Sequence, residues 1–214
     1  MTTRGRVALK TVVWLVALAP LAHLLWGWWT DDLTVNPIEY VTRELGQTAF
    51  RLLLATLALT PLRLLLGVSW PITLRRLLGL LAFFYVTLHF AVWIVLDHFF
   101  DWHTMGQDIA KRPWITVGVS AFLLLAPLAA TSTTGMIKRL GGARWRRLHR
   151  LIYVAGVLAA LHYIWLAKKV LVQPWVYAAI LAVLLGIRLW DAARAFARRR
   201  QALARDRIVI GSRG

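Results

Sequence analysis

The stretch LLGLLAFFYVTLHFAVWIVLD, Leu77–Asp97, decides the fold. It carries no charged residue before Asp97 and a single histidine, His89. Crossing the hydrocarbon core of a bilayer takes roughly 20 mostly apolar residues in a helix, so 77–97 reads as a transmembrane span. Five similar stretches flank it, at about 10–29, 45–66, 113–131, 149–167 and 174–191. Together they use most of the 214 residues. The predicted fold class is all-α, a polytopic membrane helix bundle with six transmembrane helices. Residues 1–191 form one domain, followed by a basic tail over 192–214.

Composition agrees. The chain is 59% hydrophobic and only 16% charged, with a mean hydropathy of +0.62; soluble domains hold about 25% charged residues. The first stretch resembles a secretory signal, with basic residues before the apolar run and Ala17-Leu18-Ala19 like a cleavage site. But the run is long, Pro20 follows the site and five spans come after, so it reads as an uncleaved helix. Many of the 12 Trp fall near expected helix ends, among them Trp26, Trp28, Trp29, Trp70, Trp102, Trp114, Trp145, Trp175 and Trp190. Indoles favour the headgroup region.

The net charge is +17. In a soluble protein that would point to nucleic acid; here the distribution points to membrane orientation. With the N-terminus inside, 20 of the 26 Lys and Arg fall on the inner side. Arg43, Lys111, Arg112, Lys168 and Lys169 fall outside, and Arg51 lies within a helix. Such a bias places both termini in the cytoplasm, with anionic membrane lipid as the partner of the basic face and no nucleic acid. Cysteine is absent, which excludes disulfides, thiolate zinc sites, iron–sulfur clusters and covalently attached heme.

Histidines within apolar spans are costly and need partners. His89 lies 13 residues beyond Arg76, at the inner boundary of the third span, and His162 lies 15 beyond Arg147, at the inner boundary of the fifth. Both spans run outward, so the two rings reach similar depth in the outer half, where they can hold one heme iron from both sides. His149 is 13 residues before His162, about 20 Å along a helix, and cannot share that iron. Moving 13 or 14 residues inward from His89 gives Arg76 or Arg75 rather than histidine, so a second heme with the same geometry lacks a ligand. His149 is left with three readings: iron with another ligand, contact with a quinone or flavin, or a cap on the fifth helix. Arg51, two turns into the second helix, is at the depth to meet a heme propionate, or it snorkels. His23, His98 and His103 read as structural or solvated.

Three ordered blocks carry a family resemblance. One is Arg75-Arg76-x-Leu78-Gly79 with Tyr85 and His89. The second is Trp145-Arg146-Arg147-Leu148-His149-Arg150-Leu151-x-Tyr153 with His162-Tyr163. The third is Gly46 with Thr60-Pro61-Leu62-Arg63. Together they resemble the MsrQ (YedZ) family of heme-binding membrane subunits, within the ferric-reductase-like transmembrane group that includes NADPH oxidases. The resemblance implies b-type heme with His89 and His162 as ligands, His149 as a third important histidine, and Arg75 and Arg76 among the cofactor-binding candidates. It also implies FMN, whose phosphate the basic inner loop (Lys138, Arg139, Arg144, Arg146, Arg147) has the charge to hold, and electrons drawn from the quinone pool. These would pass across a bacterial inner membrane to a periplasmic molybdopterin subunit that reduces methionine sulfoxide in proteins. The oxidases of the wider group carry two histidines on the third helix, and this chain carries one. No Gly-rich dinucleotide fingerprint follows a strand, so a separate donor, quinol or a cytosolic flavoprotein, is expected. The competing readings are a proton-coupled transporter using intramembrane His and Arg and a membrane scaffold with structural histidines.

Overall fold

A computed structural model describes residues 2–167 and 172–211, with side chains placed through Gln201. Lys168 and Lys169, counted above among the outer basic residues, lie outside the described residues, as does Arg213. Nine α-helices occur among the described residues: α1 (Thr3–Trp29), α2 (Pro37–Leu66), α3 (Arg75–Val92), α4 (Trp102–Lys111), α5 (Pro113–Ala130), α6 (Thr134–Leu140), α7 (Gly142–Leu148), α8 (Leu151–Leu166) and α9 (Gln173–Gly211). A 3-10 turn, Trp70–Leu74, leads into α3, and a π turn, Trp93–Asp97, follows it.

Six helical stretches are long and apolar enough to span a bilayer: Thr3–Trp29, Pro37–Leu66, Trp70–Asp97, Pro113–Ala130, Gly142–Leu166 and Gln173–Gln201. Each corresponds to one predicted span, the fourth and fifth ending one residue earlier than expected. The bundle is inside-out by soluble standards: Leu15, Val16, Leu25, Leu123, Val183 and Leu189 are each more than 60% exposed. So much scattered apolar surface suits lipid rather than water. An even number of spans puts the two ends of the bundle on one side of the membrane.

Local chemistry sets the boundaries, and some differ from expectation. The second helix begins at Pro37 rather than near 45. Asn36 caps it by accepting from the Glu39 N–H, Pro37 takes the first turn, and Glu39 sits where the helix dipole favours an acid. Most of the presumed outer loop 30–44 is therefore helix. The outer loop 98–112 contains α4, capped by Asp101, and the inner loop 132–148 contains α6 and α7. α9 does not stop near 191; its helix continues into the basic tail as far as Gly211.

The most extensive pairings are α2 with α3 and α5 with α8, and α9 packs across α8 and α2. In lipid, helices associate through close packing rather than through escape from water. α8 accordingly presents a face of small residues: Ala155, Gly156 and Ala160 are buried. A Cβ at Gly156 would touch Leu181 at 3.5 Å and Leu57 at 3.6 Å. These join Phe50, Leu53, Leu54, Ala82 and Leu125 in one core. A second core holds Leu24, Leu45, Ala49 and Tyr85. Tyr85 is fully buried and its hydroxyl donates to the Ala17 carbonyl, tying α3 to α1.

Candidate functional site

His89 on α3 and His162 on α8 face each other. Their ring centres are 6.2 Å apart and their planes cross at 78°. Each ring is braced from behind by a neighbouring helix. His89 Nδ1 lies 2.8 Å from the Thr42 carbonyl on α2, and His162 Nδ1 lies 2.7 Å from the Trp114 carbonyl on α5. A carbonyl only accepts, so each Nδ1 carries the proton and each Nε2 keeps its lone pair. Committing one ring nitrogen in this way is how proteins orient an imidazole for a metal.

Glycine makes that bracing possible on both sides. Gly46 is four residues after Thr42, and Gly118 four after Trp114, so each glycine sits one helical turn beyond the accepting carbonyl. A Cβ on Gly46 would lie 3.0 Å from His89 Nδ1, and one on Gly118 would lie 2.7 Å from His162 Cε1 and Nδ1. The rings occupy space that any side chain would fill.

The separation of the rings suits a metal held between them. Two metal–imidazole bonds of about 2.0 Å in line, with about 1.1 Å more from each nitrogen to its ring centre, span roughly 6 Å. Among the described residues no three His, Cys, Asp or Glu side chains gather around a possible metal position. The pair can therefore supply two positions of a metal whose other ligands are not protein, which is how a porphyrin iron is held.

Arg51, expected at a propionate, lies on α2 five residues past Gly46 and so about 140° round the helix from it. Its Nε donates to the Tyr177 hydroxyl at 2.9 Å, a second nitrogen donates to Gln47 Oε1 at 2.8 Å, and Glu44 is 4.0 Å away. Tyr177 and Tyr163 both pack edge-on to Phe50. Arg51 is thus held toward α9, beside the residue that follows His162. Arg75 and Arg76 begin α3, about 20 Å from His89 along the helix, so they stand apart from the facing pair.

His149 follows α7, just before α8 begins. Its Nε2 is 3.1 Å from Thr131 Oγ1, and Trp145 stacks on its ring with centres 3.9 Å apart. Trp145 Nε1 donates to the Thr131 carbonyl at 2.9 Å. Trp145, expected in the interfacial belt, closes a trio that ties the loop before α8 to the end of α5. No other histidine faces His149 among the described residues. His98 packs between the end of the third span and α4, 3.2 Å from Asp108. The sequence reading missed the roles of Thr42, Trp114 and Gly118. The visible signal was the repeated four-residue spacing to a glycine.

Six spans around two braced, facing imidazoles define a class: membrane bundles able to hold a metal centre between neighbouring helices. Residues 45–160 match the family of ferric reductase like transmembrane components. Relatives named protein-methionine-sulfoxide reductase heme-binding subunit MsrQ come from Ralstonia nicotianae (52% identical, covering 86% of this chain and 85% of the relative), Herminiimonas arsenicoxydans (50%, covering 85% and 84%) and Rhodospirillum rubrum (50%, covering 89% of each). The chain belongs to the MsrQ family, within that ferric-reductase-like group, and is a multi-pass bacterial membrane protein.

Proposed function

We propose that this chain is the heme b electron-transfer subunit of a methionine-sulfoxide reductase system, carrying electrons across the inner membrane. Its donor would be quinol or a cytosolic flavoprotein, and its acceptor a periplasmic molybdopterin subunit that repairs oxidised proteins. The observation that carries this reading is the facing pair, His89 and His162, with both Nδ1 atoms committed to backbone carbonyls. The names of the relatives support heme and a reductase partner. The positive-inside count supports a cytoplasmic placement of both termini.

The residues then divide the work. His89 and His162 would hold the heme iron through Nε2, and the Thr42 and Trp114 carbonyls hold the tautomer and ring direction. Iron held by two imidazoles would favour electron transfer over oxygen chemistry. Bound heme supplies a one-electron relay. Arg51 would have to turn from Tyr177 and Gln47 to meet a propionate. FMN, where bound, has the basic inner loop of Lys138, Arg139, Arg144, Arg146 and Arg147 to take its phosphate. The chain serves its enzyme as a conduit rather than as the catalytic subunit.

Purified protein expressed with heme supplied should show reduced-minus-oxidised b-type bands. His89→Ala and His162→Ala should each abolish them while the bundle still inserts. Retention of the bands in both variants would refute the ligand assignment.

A further inference from the structure

The Thr60-Pro61 step of α2 has a structural consequence. In a helix the carbonyl of residue 57 would accept from the N–H of residue 61, but Pro61 has none. The freed Leu57 carbonyl instead accepts from Arg188 of α9 at 2.6 Å, and a second nitrogen of Arg188 donates to the Tyr153 hydroxyl at 2.9 Å. One turn further along α2, Arg75 donates to the Thr60 hydroxyl. Residues 57 and 60 share a helix face, so two guanidiniums from different helices dock side by side.

Neither has a counter-charge. All five ion pairs among the described residues lie elsewhere, and Asp191, three residues after Arg188, joins none of them. Arg188 Nε is shielded from solvent and has no hydrogen-bond partner. Cations within a membrane bundle are expensive unless paired, and Arg188 lies within a candidate span, about 23 Å from the start of α9. Arg188 supplies a half-buried charge, and Arg75 beside it is exposed and keeps N–H groups beyond the one given to Thr60, a fork that matches the oxygens of a phosphate.

We infer that Arg188 and Arg75, docked on the proline-opened turn of α2, form a binding site for a phosphate group. The site lies on the inner side of the bundle, apart from the His89–His162 pair, and does not depend on how that pair is read. A phospholipid headgroup and a free phosphate offer the same chemistry, and the experiment separates them.

The full chain is purified in maltoside detergent, and its thermal midpoint is followed with added inorganic phosphate or phosphatidylglycerol. At about 100 times Kd, a ligand that binds only the folded protein should raise the midpoint on the order of 5–10 °C. A rise with phosphate identifies a free phosphate ligand; a rise with phosphatidylglycerol alone identifies a lipid headgroup. Arg188→Met should remove the response. Arg188→Lys, which keeps the charge and loses the fork, should weaken binding about tenfold or more and serves if the Met variant fails to insert. No rise with either ligand in the wild-type chain, or an undiminished rise in the variant that inserts, overturns the site.

Discussion

Replacing Gly118 with Ala places a methyl carbon 2.7 Å from both Cε1 and Nδ1 of His162. Unstrained carbon contacts lie at about 3.5–4.0 Å, so the ring must retreat by roughly 1 Å. That retreat stretches the 2.7 Å bond to the Trp114 carbonyl beyond the range of about 3.2 Å in which such bonds hold. Losing the partner that orients a ligating histidine typically costs about 10- to 100-fold in metal affinity, roughly 1.4–2.8 kcal/mol. The assay is a titration of heme-free purified protein with hemin, followed by absorbance. Gly46→Ala should lose less, because its Cβ would meet His89 at 3.0 Å and a shift of a few tenths of an ångström suffices. Gly79→Ala is the control: its Cβ would meet only Thr56 Cγ2, at 3.7 Å, so heme affinity should hold while the helix gains up to about 1 kcal/mol. Folded Gly118→Ala protein that takes up hemin as tightly as wild type would refute the reasoning.

Three further outcomes are expected. Tyr85→Phe removes the hydroxyl that donates to Ala17; thermal unfolding should show a loss of about 1 kcal/mol, and cross-linking between α1 and α3 should fall. His149→Ala breaks the trio with Thr131 and Trp145; proteolysis of the inner loop should quicken, while the hemin affinity of the outer pair, about 20 Å away along α8, stays unchanged. Asp101 accepts from the Thr104 hydroxyl and from the N–H groups of Thr104 and His103, which hold its carboxyl below the ordinary value of 3.8. Folding therefore favours the charged form, and the cap is fully present above that value and is lost as pH falls beneath it. Amide exchange in α4, normalised to intrinsic rates, should accelerate only in that acidic window.

The spans were legible because length and hydropathy alone fix what can cross a bilayer. The shared depth of His89 and His162 was legible too, since helical rise converts residue counts from Arg76 and Arg147 into height. What faces each ring was not, because the rotation of α2 against α3, and of α5 against α8, is settled by packing between helices. Arg51 illustrates the limit: its depth could be counted, but its direction, toward Tyr177, depends on where α9 lies. The second span was expected to begin near 45, although Asn36 and Pro37 are an N-cap followed by a first-turn proline. The Thr60-Pro61 pair was visible, yet nothing in the sequence showed that Arg188, 131 positions after Leu57, would claim the released carbonyl.

Thr42 and Trp114 reach the two imidazoles through main-chain oxygen alone. Their own side chains are therefore free to drift without disturbing the facing pair, so long as the helix persists and the glycine one turn later survives. An alanine scan is blind to both of them and would underestimate how much of the ligand field belongs to α2 and α5. Replacing the amide by an ester at the peptide group that presents either oxygen would expose the contribution directly.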